Sequence, residues 1–393
     1  MAEGPLRLGM IGGGEGAFIG AVHRAAARLD GDIELVGGAF SRNEAITRAT
    51  GSALHLDLAR CQSDAHALFE AERARSDDGM EAISIVTPND SHVPLAIAAA
   101  QAGLHVLSEK PAGISLQQVE VLAETLSATG AAYGLAHTYL GYPMVWQARH
   151  LAGQASFGPV RKILVEYTQG WLTSRVEAEG SKQAEWRTDP AQSGPSGAFG
   201  DIGSHAHSLA EFVADSRMIR IASRLRNHFP ERSLDDDGEA SFEMENGATG
   251  ILVASQVCAG DENSLTLRIY GEKAGLEWCQ MEPDRLTERN ADGTVTIHRA
   301  GIDKPLCEEA LSRCRLPSGH PEGYLEAFAN IYRSFAKSVR DGVSPASQGV
   351  PGIAEALRGM AFLEACVASA AADGAWVDIA APRIGPDLKG LLS

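Results

Sequence analysis

The sequence predicts an α/β fold in which a doubly wound parallel sheet is followed by a second, α+β domain. Three observations carry this. Up to about Gly134 short apolar runs alternate with helical stretches, the first of those runs meets a glycine-rich turn, and beyond about His137 the runs lengthen and alternate apolar with polar. A chain of 393 residues also exceeds what one compact core normally serves. Two domains are expected, residues 1–136 and residues 137–393, with the C-terminal helices able to pack back on the first.

The apolar runs of the first domain are 6–11, 33–40, 82–86, 105–107 and 131–136. They are nearly continuous in Ile, Val, Leu and Ala and are spaced widely enough for crossover helices, the pattern of strands buried on both faces in a Rossmann-type sheet. A helix over 93–102 follows Asn89, Asp90 and Ser91 as capping candidates and ends at Gly103; a second, over 115–127, ends before Gly130. In the second domain the runs 162–168, 238–244, 247–258 and 264–271 read as antiparallel strands, with a hairpin turn at 245–247. Helical periodicity returns over 321–340 and 350–372, and 376–379 reads as a last short strand.

Charge and composition narrow the partners. The formal charge of −17 repels nucleic-acid phosphates and no basic stripe opposes it, so no nucleic-acid partner is expected. No run approaches the roughly 18 apolar residues of a bilayer span, and no basic head with an apolar core opens the chain, so a cytoplasmic protein with no membrane partner is expected. Six scattered cysteines read as free thiols, and no histidine spacing reads as a metal site. The acidic run 231–237, which contains Arg232, reads as a solvated loop.

Chemistry first becomes legible at GMIGGGEGAFIG, where a strand meets glycines and then a helix. Glycines let the backbone approach a pyrophosphate closely, and a helix N-terminus offers it free N–H groups and a positive dipole end. Gly12 and Gly14 fit the first two positions of G-x-G-x-x-G, and the third is Ala17 by simple spacing or Gly20 after a stretched turn. The second strand ends at Ser41-Arg42 without the carboxylate that usually receives the ribose of NAD, so Arg42 is either a 2′-phosphate ligand for NADP or a solvated charge. Thr87-Pro88-Asn89, with His92 beyond, falls at the carboxyl edge of the sheet, where such folds bind ligands.

Lys110 follows a buried-looking strand and precedes a proline. By itself it is as well read as a snorkelling side chain. Asp201 and His205 stand four apart, so a helix over 202–213 would place both near one face; alone they read equally as an N-cap and a core histidine. As a functional pair, an imidazole suits accepting an alcohol proton and a carboxylate can orient it or the substrate.

The order of these motifs is what distinguishes them. Glu109-Lys110-Pro111, one strand after Thr87-Pro88-Asn89 and behind the glycine-rich turn, together with the D-x-x-x-H of Asp201 to His205, resembles the glucose-fructose oxidoreductase and inositol dehydrogenase (Gfo/Idh/MocA) family. The resemblance spans most of the chain. It implies a Rossmann domain followed by a domain with a large, mostly antiparallel open sheet, assembly into homodimers or homotetramers, and often a cis Lys-Pro bond. It also implies NAD or NADP as cofactor, held by Gly12, Gly14, Ala17, Phe18, Ile19, Ser41, Arg42, Thr87, Pro88, Asn89, His92, Glu109 and Lys110. On its terms the enzyme oxidises a secondary hydroxyl, with His205 taking the proton, Lys110 polarising the oxygen and Asp201 assisting.

The run GWLTSRVEAEGSKQAEWRTDP, from Gly170, combines donors with flat aromatic faces, as a pocket for a polyhydroxylated ring requires, and reads equally as an exposed loop. With Gly319-His320-Pro321 it is similar to a scyllo-inositol dehydrogenase branch that accepts sugars such as L-glucose. Trp171, Arg175, Trp186 and His320 are therefore substrate candidates, with Arg175 and His320 the candidates for contacts that a neighbouring subunit supplies. A dehydrogenase of glycosides or nucleotide sugars, and a cofactor-binding regulator without turnover, are the alternatives.

Overall fold

The computed structural model describes residues 4–382, and the chain divides into two compact units. One comprises the residues up to Thr138 with Phe328–Leu357, and the other Tyr139–Ala327 with Arg358–Ala381.

The first unit is built from β1 (Leu6–Gly12), α1 (Phe18–Leu29), β2 (Ile33–Ala39), α2 (Glu44–Ala53), α3 (Ala65–Arg73), β3 (Ala82–Val86), α4 (His92–Gln101), β4 (His105–Ser108), α5 (Leu116–Thr129) and β5 (Tyr133–Leu135). Among the described residues its sheet has five strands, in the order β2-β1-β3-β4-β5, all parallel. Every residue of β3 is buried, as expected of a central strand covered on both faces. The strand order reverses between β1 and β3, where Gly12 pairs with Val86. That reversal brings the glycine-rich turn and Thr87-Pro88-Asn89 to one crevice at the carboxyl ends of the strands.

One capping expectation is corrected. Asn89–Ser91 forms a 3₁₀ turn directly before α4, and Ser91 Oγ turns back to Thr87 Oγ1 at 2.6 Å and the Pro88 carbonyl at 2.8 Å, so it does not cap the helix. The α5 signals act as read. Ser115 receives the Gln118 N–H and Gly130 ends the helix at φ +71°.

The second unit contains α6 (Pro143–Ala152), β6 (Lys162–Thr168), α7 (Lys182–Arg187), α8 (Pro190–Ser193), a π-helical turn (Phe199–Gly203), α9 (Ser204–Ala214), β7 (Met218–Arg226), β8 (Asp237–Met244), β9 (Thr249–Ser255), β10 (Ser264–Tyr270), β11 (Ala274–Cys279), β12 (Arg285–Asn290), β13 (Val295–Arg299) and α10 (Glu308–Leu311). Beyond these come α11 (Tyr324–Asp341), α12 (Ile353–Ala371) and β14 (Val377–Asp378); the division of the chain falls inside α11 and α12.

Among the described residues the second sheet has nine strands, β13-β12-β11-β10-β6-β9-β8-β7-β14. It is antiparallel except at its centre, where β6 and β9 run parallel. The expectation of antiparallel strands is corrected there, because α7, α8, α9 and β7-β8 lie between β6 and β9 in sequence, a connection long enough for a parallel pair. Ile163, Val165 and Tyr167 alternate into the core, and α9 packs on this face against β6, β9 and β10. Gly247, at φ +85°, closes the β8-β9 hairpin as its sequence suggests.

Candidate active site

In the first unit the glycine-rich turn is a cradle that no larger side chains could form. Gly12 and Gly13 adopt φ +84° and +70°, and a Cβ on Gly14 would lie 2.8 Å from the Phe40 carbonyl. Gly20 packs directly on Gly13, leaving no room for a Cβ, so Gly20 performs the helix-packing role of the third glycine and Ala17 is the N-cap of α1. No side chain caps α1. Its first N–H groups at Phe18 and Ile19 are therefore available to an anion, and Phe18 is 70% exposed beside them. Arg24 fastens the turn from below by donating to the Gly13 carbonyl at 2.5 Å. These residues fit a dinucleotide pyrophosphate.

Ser41 stands after β2 with its N–H on Thr47 Oγ1 at 2.9 Å, and Arg42 is exposed. His92 ties two motifs together: its ring nitrogens lie 2.8 Å from the Thr87 and Pro111 carbonyls. Burial holds its pKa below the ordinary value, so the neutral ring donates to one of the two. The Lys110-Pro111 bond is cis.

Glu109 has one carboxylate oxygen 2.8 Å from His23 Nε2 and the other accepting the Lys110 N–H at 3.0 Å. Behind it His23 Nδ1 lies 2.7 Å from the Tyr332 hydroxyl, which is 2.8 Å from Ser84 Oγ. Burial opposes charge on Glu109, yet the bond to His23 and the Lys110 ammonium hold its carboxyl below the usual range. His23 and Tyr332 carried no signal in the sequence, since each reads as one more position on an amphipathic helix.

In the second unit the groups of interest gather where β6 and β9 end and β8 and β10 begin. Thr168 pairs with both Ser255 and Ser264, and Ser255 with Asp237, so four loops leave the sheet together. His205 rises from the start of α9, 9% exposed, with the Tyr139 and Tyr167 rings edge-on or tilted at 4.7 and 6.1 Å. The two tyrosine hydroxyls bond each other; Tyr167 donates to Asn263 at 2.5 Å, and Asn263 donates to Tyr139 at 3.1 Å. Burial, with the neighbouring Tyr139, pushes the Tyr167 phenol well up, so it stays a neutral donor.

Gln169 continues the chain, donating to Asn263 at 2.8 Å and receiving Trp171 Nε1 at 3.0 Å and Gln256 at 3.2 Å. Gln256 also donates to Asp201 at 2.9 Å. Arg187, stacked on Trp186 at 4.2 Å, approaches the same carboxylate at 3.3 Å. The structure thus links Trp171, Trp186 and Asp201 through side chains that sequence reasoning missed: Tyr139, Tyr167, Gln169, Arg187, Gln256 and Asn263. Arg175 pairs with Glu231 at 3.3 Å, and His320 is exposed, its Nδ1 3.1 Å from the Pro317 carbonyl.

Two readings are corrected here. The helix does not begin at Ile202, because the π turn already includes Asp201, which is therefore no N-cap. Nor is 231–237 a solvated loop. Arg232 and Asp236 are buried and Asp235 is half-buried, and Asp235 receives Ser196 Oγ at 2.7 Å and the N–H groups of Gly197 and Phe199 at 2.8 and 3.0 Å. Asp235 serves the π turn as a cap from a distant segment, and Gly197 packs on its carbonyl too closely to admit a Cβ.

A dinucleotide cradle at a Rossmann switch point, in a chain whose second unit carries an imidazole among hydroxyls and amides, defines a two-domain nicotinamide-dependent oxidoreductase. Residues 6–137 match the oxidoreductase family's NAD-binding Rossmann fold and residues 145–277 match the GFO/IDH/MocA C-terminal domain. The uncharacterized oxidoreductase YfiI of Bacillus subtilis is 31% identical over 95% of this chain and 97% of its own. An inositol dehydrogenase homologue from Azotobacter vinelandii, solved with NAD+ and with NADH and myo-inositol, is 34% identical over 96% of this chain and 98% of its own, with TM-scores of 0.90 and 0.87. Levoglucosan dehydrogenase of Pseudarthrobacter phenanthrenivorans is 24% identical over 95% and 98%. The chain belongs to the GFO/IDH/MocA family, NAD-binding oxidoreductases that include sugar and polyol dehydrogenases. It is an enzyme, so the regulator alternative is set aside. Among the described residues no helix is long and apolar enough to cross a membrane.

Proposed function

We propose that this protein reversibly oxidises a secondary hydroxyl of a cyclic polyol, scyllo- or myo-inositol, with glucose-type aldoses as further substrates. One observation carries the reading: His205 packs against two tyrosines whose hydroxyls run through side-chain amides to the Asp201 carboxylate, with Trp171 bonded to Gln169 and Trp186 stacked by Arg187 along the same chain. That mixture suits a ring bearing a hydroxyl on every carbon. Inositol is favoured by the Azotobacter vinelandii homologue's myo-inositol complex.

When bound, the nicotinamide supplies the acceptor for hydride. Gly12, Gly14, Ala17, Phe18 and Ile19 would hold the pyrophosphate, Ser41 and Arg42 the adenosine ribose, and Thr87, Pro88, Asn89 and His92 the nicotinamide end. Lys110, its backbone N–H held by Glu109, would place an ammonium on the reacting oxygen and stabilise negative charge as it develops. His205 would accept the hydroxyl proton, and Asp201, steered by Gln256 and Arg187, would orient the substrate. Trp171 and Trp186 would offer faces to the ring carbons, with Arg175 and His320 reaching substrate from a neighbouring subunit of a homodimer or homotetramer. A monomeric mass by light scattering would remove that last role.

The test is a panel of inositols, aldoses, glycosides and nucleotide sugars with NAD or NADP, followed at the reduced-nicotinamide band. Highest kcat/KM on an inositol supports the proposal. Turnover confined to glycosides, for which the levoglucosan dehydrogenase relative speaks, would replace it, and an exclusive preference for NAD would leave Arg42 a solvated charge.

A further inference from the structure

Arg232 uses every donor it has. Nε and Nη2 take the two oxygens of Glu177 at 3.0 and 3.1 Å, Nη1 takes Asp236 at 2.8 Å and the Leu172 carbonyl at 2.9 Å, and Nη2 also takes the Ser174 carbonyl at 2.7 Å. A guanidinium has five N–H groups, and here five acceptors meet them. The side chain is 2% exposed and that of Asp236 1%. Such a group has nothing left to offer a ligand, so whatever it contributes passes through what it holds.

It holds two things. On one side lies the loop from Leu172 to Glu177, whose alternate carbonyls at Leu172 and Ser174 converge on one planar group and so fix its curvature. This loop follows Trp171 and carries Arg175. On the other side lies Asp236, whose neighbour Asp235 caps the turn that leads to Asp201 and His205. His228 adds its backbone N–H and Nδ1 to Asp236 Oδ1 at 3.0 and 2.9 Å, closing the carboxylate's remaining capacity.

We propose that Arg232 is a positioning residue for substrate recognition: without touching substrate it fixes the 172–177 loop in register with the Asp235-capped turn that bears Asp201. This rests on the reading that Asp201, His205 and Trp171 face one polyol. A loop so fixed presents its donors without an ordering cost on binding, and loosening it weakens binding more than it slows the chemistry. A lysine keeps the charge but offers three donors from a single atom, which cannot span both oxygens of Glu177 and two carbonyls.

Arg232→Lys is compared with the wild-type holoenzyme by steady-state kinetics, NAD titration, and hydrogen-deuterium exchange over 170–179. The expected result is a polyol KM raised about tenfold, kcat within about threefold and NAD affinity unchanged, with faster exchange confined to that loop. A folded variant with wild-type KM, or with wild-type exchange over 170–179, overturns the proposal. So does an equal loss of kcat, polyol binding and NAD binding, which marks general damage. If Arg232→Lys does not fold, Glu177→Gln removes only one arm: a smaller rise in polyol KM is expected, and an unchanged KM overturns the idea. Absence of turnover by the wild-type enzyme on every polyol would count against the proposed function, and the exchange result alone would then decide the positioning claim.

Discussion

Gly13 and Gly20 touch where α1 leaves the glycine-rich turn, and that contact decides what residue spacing alone left open. Counting positions allowed either Ala17 or Gly20 as third glycine. Glu15 and Gly16, the latter at φ +83°, lengthen the turn and move the close approach to Gly20. Gly20→Ala should therefore destabilise the protein by about 1–3 kcal/mol through overpacking and weaken NAD binding with it. Thermal melts and an NAD titration check this; wild-type values in both would mean the turn yields freely. Lys110 and His205 emerge from the sequence as candidates only through the order of their motifs, since each alone has an ordinary structural reading. His23 does not emerge, because the Glu109 carboxylate that gives it a role lies 86 residues away.

At the scale of elements, α9 shows how a helix that carries a candidate site histidine is secured by its neighbours. Glu211 on the same helix has Oε1 2.8 Å from the Met218 N–H and 3.3 Å from His207 Nε2, and Oε2 3.1 Å from Arg358 Nε. Burial alone would raise its pKa, but His207, Arg358 and the amide bring it from the ordinary 4.5 down to about 2. A carboxyl whose pKa is depressed on folding contributes stability above its unfolded pKa and loses it as pH falls through the folded one. Glu211→Gln should thus lower stability by about 3 kcal/mol at neutral pH, and its Tm deficit should shrink as pH falls from about 4.5 towards 2. A deficit independent of pH in that window would remove the ionic role. Alternation marks β6, β8, β9 and β10 in the sequence, whereas β7, β11, β12 and β13 were not read from it and the acidic run was misread. A run of charge does not say which side chains will neutralise or bond it, and Asp235 meets the Phe199 and Gly197 amides 36 and 38 residues away and the Ser196 hydroxyl 39 away.

For the whole molecule, the motif order through both units said more than any one motif, and the matches over 6–137 and 145–277 agree with it. What the sequence could not show was the polar chain from Tyr139 to Arg187, because it joins residues from several loops that only the register of β6, β8, β9 and β10 brings to one edge. The proposed function requires Lys110 and His205 to act on one hydroxyl. The most direct test is reduced nicotinamide formed from an inositol in single turnover by wild type, Lys110→Ala and His205→Ala, with NAD affinity measured alongside. Each variant should be slower by about a hundred- to ten-thousandfold while NAD affinity changes by less than about threefold. Full single-turnover rate in either variant, or a rate loss in the His205 variant accounted for by lost NAD binding, would contradict a shared role of Lys110 and His205 at the reacting hydroxyl.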